Sequence, residues 1–565
     1  MFTNVSRNNM KAEDFAKQQR EISISEFFEK NRHLLGYDNK VKALLMIVKE
    51  GVDNALDATE EAGILPEIYV RVKELGDERY EIIIKDNGPG IIKNQIPRIF
   101  GKLLYGSKFH HLKQNRGQQG IGISAATLYT QLTTGEPLEI VSSTGNGKIH
   151  KYKIKINVRK NEPLVIESKV EEGIGWSGTQ LRFITEGVYR EYRQSIPEYM
   201  KQTAISNPHA HIIFDSPSGR VEFKRGVESL PKEPREIRPH LHGVELGILT
   251  RMLRETKYRT LLSFLTGEFT KVGRKTAKEM CSKAEIPETK RPKRITDEEA
   301  RRLIDAVKNV KLLKPPTNCL SPLGKEVVKE GLKKELNPEW VESITRPPEV
   351  YRGWPFQVEV GLAYGGGIES PKMMRFANRV PLLYQQGDCA ITKAVTGIDW
   401  KRYGLNGKGI PEEPLAIFIH MVSVWVPFTS ESKEAIASYP VIIKEIKLAL
   451  QECARKLGLY LSGKRKHEYY RQRIRTFERY AGETINAIAE LSGEDREKVR
   501  EEFLELISSN NNKIMEEENG EGETEESGEE RSKPDREERK PEDRTARQVT
   551  LERILRREER PDTDG

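Results

Sequence analysis

Glu50-Gly-Val-Asp-Asn-Ala-Leu-Asp-Ala58 lies inside a longer stretch, Asp38 to Ala62, in which Val41, Leu44, Leu45, Val48, Val52, Ala55 and Leu56 recur at steps of three, four and seven. That period predicts an amphipathic helix with one core-facing stripe. At about 100° per residue, Glu50, Asp53, Asn54 and Asp57 gather on the opposite side, so one helix presents three acids and an amide together. An acidic stripe is ordinarily a solvated face. The next residues point to another use: Glu67 to Lys73 and Tyr80 to Lys85 read as two strands around Gly76-Asp77, and the second runs into Asp86-Asn-Gly-Pro-Gly90. Glycines in a turn after a strand let a ligand approach the backbone closely. A third segment, Arg116-Gly-Gln-Gln-Gly-Ile-Gly-Ile-Ser124, opens into an apolar helix through Ala125, Ala126 and Leu128. Amides freed by glycine at a helix N-terminus can cradle phosphate oxygens. Taken alone such a run is more often a turn, and its spacing matches neither common nucleotide fingerprint.

The chain around these boxes has 565 residues, too many for one core and enough for three or four domains at ~150 residues each. Hydrophobic residues make up 36%, charged residues 32%, and the mean hydropathy is −0.64, so a soluble, globular protein with a heavily charged surface is expected. No stretch nears the ~18 apolar residues of a membrane span, and Met1 to Arg20 is polar without an apolar signal core, so an intracellular location is expected. Cys281, Cys319, Cys389 and Cys453 form no CxxC pair, which argues against a disulfide framework and a structural zinc. The net charge is +8, but residues 516–565 hold 19 acids against 11 bases, a balance of −8 that leaves +16 on the body. A polyanionic partner fits that body, as does a merely solvated Lys/Glu-rich surface.

Further strands are expected at Leu138 to Ser142, Ile149 to Val158, Gln180 to Ile184, His211 to Asp215 and Val221 to Lys224, with a helix near Tyr189 to Ala204. Prolines at 231, 234 and 239 mark a joint before a short helical region reaching about Leu313, and Pro315-Pro316 marks the next. Beyond it the chain reads as irregular and strand-rich to about Leu405, then as a buried strand over Leu415 to Val426, then as helix from Tyr439 to Ser508. Gly458 to Lys464 falls one residue short of a P-loop, but Arg465 stands where a hydroxyl is needed and the surroundings read as helix, so it is taken as chance. Glu516 to Glu530 carries nine glutamates and almost nothing apolar, a composition expected to be disordered; only Val549 to Leu555 could form a short helix.

Four features stand in order: Glu50-x-x-x-Asn54 on a helix, Asp86-x-Gly88-x-Gly90 after a strand, Gly117-x-x-Gly120-x-Gly122 before a helix, and Gly178-Thr179 before a strand. They resemble the boxes of the GHKL ATPase superfamily, shared by gyrase, MutL, histidine kinases and a heat-shock chaperone. The resemblance implies an α/β sandwich ATPase domain using ATP and Mg²⁺. It implies that Glu50 is the general base orienting water, that Asn54 ligates Mg²⁺, and that Asp86, with Thr179 beside it, accepts from the adenine amino group. Gly88 and Gly90 would let the base lie against the backbone. Ile91 to Asn115 would form a lid with Ser107 and Lys108 near the phosphates. Arg116, Gly117, Gln118, Gln119, Gly120, Ile121, Gly122 and Ile123 would wrap the triphosphate.

Within the superfamily a sensor kinase needs an upstream phospho-acceptor, yet only His33 precedes Glu50. A gyrase-type chain needs a metal-binding Asp-x-Asp, and the sole such pattern is Asp562-Thr-Asp564 in the tail, so this chain is not expected to cleave DNA. Glu50 to Ala58, Arg116 to Ile123, His242-Gly-Val-Glu245 and Val426-Pro-Phe-Thr-Ser-Glu-Ser-Lys-Glu-Ala435 resemble the B subunits of archaeal type IIB topoisomerase VI over about residues 1 to 510.

That family resemblance implies an ATPase domain with an N-terminal strap over 1–232, a helix-two-turns-helix domain over 233–314 and a transducer over 315–475. A helical A-subunit-binding region over 476–512 would follow, whereas the acidic tail, expected from its composition to be disordered over 513–565, departs from the family's pattern. Lys433 would reach the γ-phosphate from the transducer. Lys271, Arg274 and Lys275 would face the DNA backbone, and Trp400, Lys401 and Tyr403 would touch DNA. Met1 to Glu21 would strap across a second copy. The partners implied are double-stranded DNA, a second copy of this chain and an A subunit that supplies the DNA-cleaving tyrosine, in an A2B2 heterotetramer in the cytoplasm at the nucleoid. A non-cleaving ATP-driven clamp or chaperone is the alternative.

Overall fold

The computed structural model describes residues 21–108, 112–117, 120–173, 175–430, 432–503 and 505. The strap up to Arg20, Gln118, Gln119 and the acidic tail lie outside the described residues.

Capping starts the first two helices. The Ser23 side chain accepts the Glu26 amide ahead of α1 (Ile24–Lys30), and Asn39 accepts the Lys42 amide at 2.8 Å ahead of α2 (Lys40–Glu61). The hairpin β1 (Glu67–Gly76) and β2 (Arg79–Lys85) sets Val70 opposite Ile84 and Val72 opposite Ile82. It is followed by α3 (Ile96–Gly101), α4 (Gly122–Thr134), β3 (Leu138–Thr144), β4 (Lys148–Asn157), β5 (Glu162–Glu172), β6 (Ser177–Glu186), α5 (Ile196–Ser206), β7 (His211–Ser216) and β8 (Gly219–Phe223). The eight strands lie in the order β5-β4-β3-β6-β2-β1-β7-β8, and only β1 and β7 run parallel. Leu44, Ile47, Val52 and Leu56 of α2 are fully buried with Val70, Ile82 and Phe183 of this sheet. The expected stripe is therefore the core of an α/β sandwich.

Two local expectations need correction. The helix placed near Tyr189 begins only at Ile196, because Ser195 is its cap and Pro197 is tolerated only in the first turn. Strand β5 has no counterpart among the strands expected from the sequence. It is an edge strand whose residues, Leu164, Val165 and Ile166 among them, are largely exposed, so no buried face imprints alternation on its sequence.

Four helices, α6 (Leu246–Glu255), α7 (Leu261–Glu268), α8 (Arg274–Lys283) and α9 (Asp297–Lys308), enclose a core of their own around Leu249, Phe264, Leu265 and Leu303. Next come α10 (Lys325–Leu336), β9 (Trp340–Thr345), β10 (Glu349–Tyr351), β11 (Trp354–Tyr364), β12 (Lys372–Ala377), β13 (Val380–Pro381), α11 (Ala390–Thr396), β14 (Leu415–Ser423) and α12 (Pro440–Ser492). The strands form a second sheet, β10-β11-β14-β12-β13, with β9 also on β11. Its central strand β14 is buried at every residue, which explains the unbroken apolar run there. Helices α10 and α11 correct the reading of this region as irregular between its strands. Ile442, Ile446, Leu450 and Leu457 of α12 pack on this sheet, and Gly458 to Lys464 is plain helix.

The chain divides into two compact units, Met1–Arg465 and Lys466–Gly565. In the second, Ala481, Ile485 and Val499 pack together, and the expected helix to Ser508 is interrupted at Gly493, whose φ is 72°. The four cysteines are free and buried. Among the described residues no helix is long and apolar enough to cross a membrane.

Candidate functional site

A cavity of about 640 Å³ lies between α2, the end of β2 and the start of α4. Its walls include Glu50, Asn54, Asp86, Gly90, Ser107, Lys108, Gly117, Gly120, Ile121, Gly122, Ile123, Thr179 and Lys433. Residues far apart in the chain thus meet around one space large enough for a nucleotide.

At one end Asp86 continues directly from β2, and its Oδ1 accepts the amides of Gly88 at 2.9 Å and Thr179 at 3.0 Å. Burial raises its pKa to about 6, although those two amides favour the carboxylate. Thr179 Oγ1 is 3.0 Å from Ser142 Oγ, which also accepts the Ile91 amide at 2.9 Å. Gly90 has a φ of 69°, and a Cβ there would stand 1.9 Å from the Ser143 carbonyl oxygen, so the turn admits glycine alone. Gly88 supports Asp86 from behind and is not a wall of the cavity. The result is an aimed acceptor in a half-apolar slot.

At the other end α2 presents Glu50 and Asn54 one turn apart. Lys49 sits 3.6 Å from both Glu50 Oε1 and Asp53 Oδ2. Burial opposes its charge, but the two carboxylates raise its pKa. The sequence reading missed Lys49; its signal was a lysine that directly precedes Glu50 on the buried side of an amphipathic helix. Gly122 opens α4 against Glu50, where a Cβ would fall 1.7 Å from Oε2. Asn54 Oδ1 faces the backbone at Gly117, 4.0 Å from where a Cβ would stand. One neutral oxygen beside a glycine cradle suits Mg²⁺, which keeps waters and takes its other ligands from phosphates.

Lys433 comes from the loop after β14, folded by the Phe428–Ile436 bridge. Its Nζ donates to the Arg116 carbonyl at 3.2 Å, and its φ is 54°, a rare conformation for a residue with a side chain. Burial lowers its pKa, against the pull of Glu50. The neighbouring Glu434 pairs with Lys42 of α2 at 2.6 Å, both side chains nearly buried, so the loop is tied to the helix that carries Glu50.

Arg116 and Lys108 are both tied to the acidic face of α2. The Arg116 guanidinium is buried behind the cavity, on Asp57 at 2.8 Å, on both oxygens of Glu60 at 2.9 and 2.7 Å, and on Asn207. The Arg116 side chain thus points away from the cavity, and its carbonyl is the part that meets Lys433. Lys108 lines the cavity while its Nζ pairs with Asp57. Asp53 and Asp57 are buried too, so the acidic stripe of α2 is a paired interior face and not a wet one.

Of the residues expected on DNA, Lys271, Arg274 and Lys275 are exposed around the N-terminus of α8. Lys401 is exposed and Tyr403 half-buried. Trp400 is 2% exposed, with its indole N–H given to the Val395 carbonyl at 3.1 Å, and the expectation that it touches DNA is corrected: it is core.

Residues 39–160 match the family of histidine kinase-, DNA gyrase B- and HSP90-like ATPases, and residues 315–473 match the transducer of the topoisomerase VI B subunit. The chain is 50% identical over 454 residues to the type 2 DNA topoisomerase 6 B subunit of Archaeoglobus fulgidus, covering 79% of this chain and 75% of that one. It is 52% identical over 459 residues to that of Methanosarcina barkeri, covering 80% and 74%. It is 42% identical over 548 residues to that of Pyrococcus horikoshii, covering 88% and 96%. A cavity built jointly by an ATPase sheet and a lysine from a transducer-like sheet, with likeness running through both, places the chain in the family of type 2 DNA topoisomerase 6 B subunits.

Proposed function

We propose that this chain is the ATP-driven gate of a type IIB DNA topoisomerase. Two copies close on ATP, a separate A subunit cleaves one duplex, a second duplex passes, and hydrolysis resets the gate, so that supercoils are relaxed and linked circles separated. The observation that carries this reading is Lys433, delivered into the Glu50 cavity from the second sheet. An ATPase whose site is completed by another domain can convert nucleotide occupancy into domain position.

In this mechanism Asp86 accepts from the adenine amino group with Thr179 beside it, which sets base identity. The backbone amides of Gly117 and of Gly120 to Ile123 surround the triphosphate, and Gln118 and Gln119 belong to the same expected run but lie outside the described residues. Ser107 and Lys108 close over the phosphates from the lid. Glu50, its carboxylate kept in place by Lys49, orients water and takes its proton. Asn54 holds Mg²⁺, which when bound offsets phosphate charge. Lys433 meets the γ-phosphate and signals its loss to the second sheet.

Lys271, Arg274, Lys275 and Lys401 serve the DNA backbone, and residues 476–512 hold the A subunit. The chain acts in the cytoplasm at the nucleoid. The deciding experiment mixes interlinked circular DNA with this chain and a candidate A subunit. ATP-dependent separation requiring both proteins is expected, and separation without this chain or without ATP would reject the reading.

A further inference from the structure

Arg116 is held at both ends by residues of the second sheet. Lys433 donates to its carbonyl at 3.2 Å. At the other end Arg379, in the turn between β12 and β13, donates through Nη1 to Glu60 Oε2 at 3.0 Å, and Glu60 in turn receives both terminal nitrogens of Arg116. Asp57 shares Arg116 and also holds Lys108, a wall of the nucleotide cavity.

Arg379 is aimed by a buried polar chain. Its φ is 68° and it is 4% exposed. Its amide donates to His420 Nε2 at 2.9 Å, so the ring proton resides on Nδ1 and is given to Glu359 Oε2 at 2.8 Å. The second branch of its guanidinium donates to the Ser321 carbonyl at 2.9 Å. Next to it the Asn378 amide donates to the carbonyls of Asn115 and Ser423, both at 2.9 Å, binding the residue before Arg116 to the end of β14.

Glu60 already has Arg116 and His209 as partners, and Arg379 joins a buried network in which Asp57, Glu60 and Glu359 face Arg116, Lys108 and Arg379. A buried guanidinium is costly to desolvate, and its planar fork fixes the geometry of the groups it joins. We propose that Arg379 is a positioning residue for ATP hydrolysis: by gripping Glu60 it sets the second sheet where Lys433 reaches the nucleotide cavity. This rests on the reading of that cavity as the ATP site and of Lys433 as its γ-phosphate lysine. Every wall of the cavity except Lys433 comes from the first domain, so Arg379 is expected to act on turnover more than on nucleotide binding.

The test is steady-state ATP hydrolysis by the full chain, with thermal midpoints measured alongside. Arg379→Met should lower kcat by ~10-fold, the factor one hydrogen bond to a charged group is worth, with KM changed less than about threefold. Arg379→Lys, which keeps the charge but can reach only one of Glu60 and Ser321, should fall between. In a Lys433→Ala background Arg379→Met should cost nothing further, because both act on one step. Unchanged kcat, a loss confined to KM, or a full extra loss in the Lys433→Ala background would overturn the proposal. Should Arg379→Met not fold, Arg379→Lys decides: reduced kcat at unaltered KM supports the proposal and wild-type values reject it. Glu50→Ala in the same assay separates the two readings. Wild-type turnover there rejects the site itself, whereas lost Glu50→Ala turnover beside an unaffected Arg379→Met rejects only the role of Arg379.

Discussion

Lys433 Nζ lies 3.2 Å from the Arg116 carbonyl oxygen, a contact across 317 positions of the chain. It joins the loop after the central strand of one sheet to the glycine run that precedes a helix on the other. A half-buried ammonium in this cavity loses hydration, which lowers its pKa, and a phosphate supplied next to it would restore the lost stabilisation.

Removing that ammonium by Lys433→Ala should reduce ATP turnover by ~10²- to 10³-fold, the scale of one preorganised donor at a transition state. Wild type should sediment as a dimer with a non-hydrolysable ATP analogue and as a monomer without nucleotide. An identical oligomer in both conditions would contradict the gate.

Glu50→Ala should cost ~10²-fold or more in turnover while ATP still binds, as for a missing general base. Gly122→Ala should mimic it. The added methyl would meet Glu50 Oε2 at 1.7 Å, and because that atom ends a flexible side chain, the carboxylate moves while the fold survives. Turnover should fall with little change in melting temperature. Gly90→Ala, which meets the Ser143 backbone, should instead lower the melting temperature.

Asp86 offers a pH test. Its folded pKa of about 6 lies above the ordinary carboxylate value, so its contribution to stability is present at low pH and is lost as pH rises through 6. Base binding needs the carboxylate and runs the opposite way. Calorimetric affinity for adenosine, which has no phosphate to titrate, should fall about tenfold per pH unit below 6. Asp86→Asn should abolish that slope, and a slope that persists would reassign the titrating group.

DNA affinity of the isolated chain should drop steeply with salt, with a slope of ~0.9 per phosphate contacted. Charge reversal at Lys271, Arg274 and Lys275 should flatten the slope by up to about three contacts and leave DNA-free ATP hydrolysis intact. Deleting residues 516–565 should not weaken binding, since that segment is net acidic. A chaperone would show no such slope.

Features that depend on near neighbours are legible in the chain alone. A 3.6-residue period put Glu50 and Asn54 on one side of α2 and its apolar stripe on the other, and glycine spacing announced the turn after β2 and the start of α4. Those segments carry their conformation in local sterics and hydrogen bonding. Which polar groups stay wet is settled only when the elements pack. Asp57 and Glu60 look like any solvated helix face until Arg116, His209 and Arg379 close over them. Trp400 sits among cations in sequence yet belongs to a core assembled from strands and α12. Burial and charge pairing are properties of the space between elements, set by residues up to hundreds of positions away, and no local period records them.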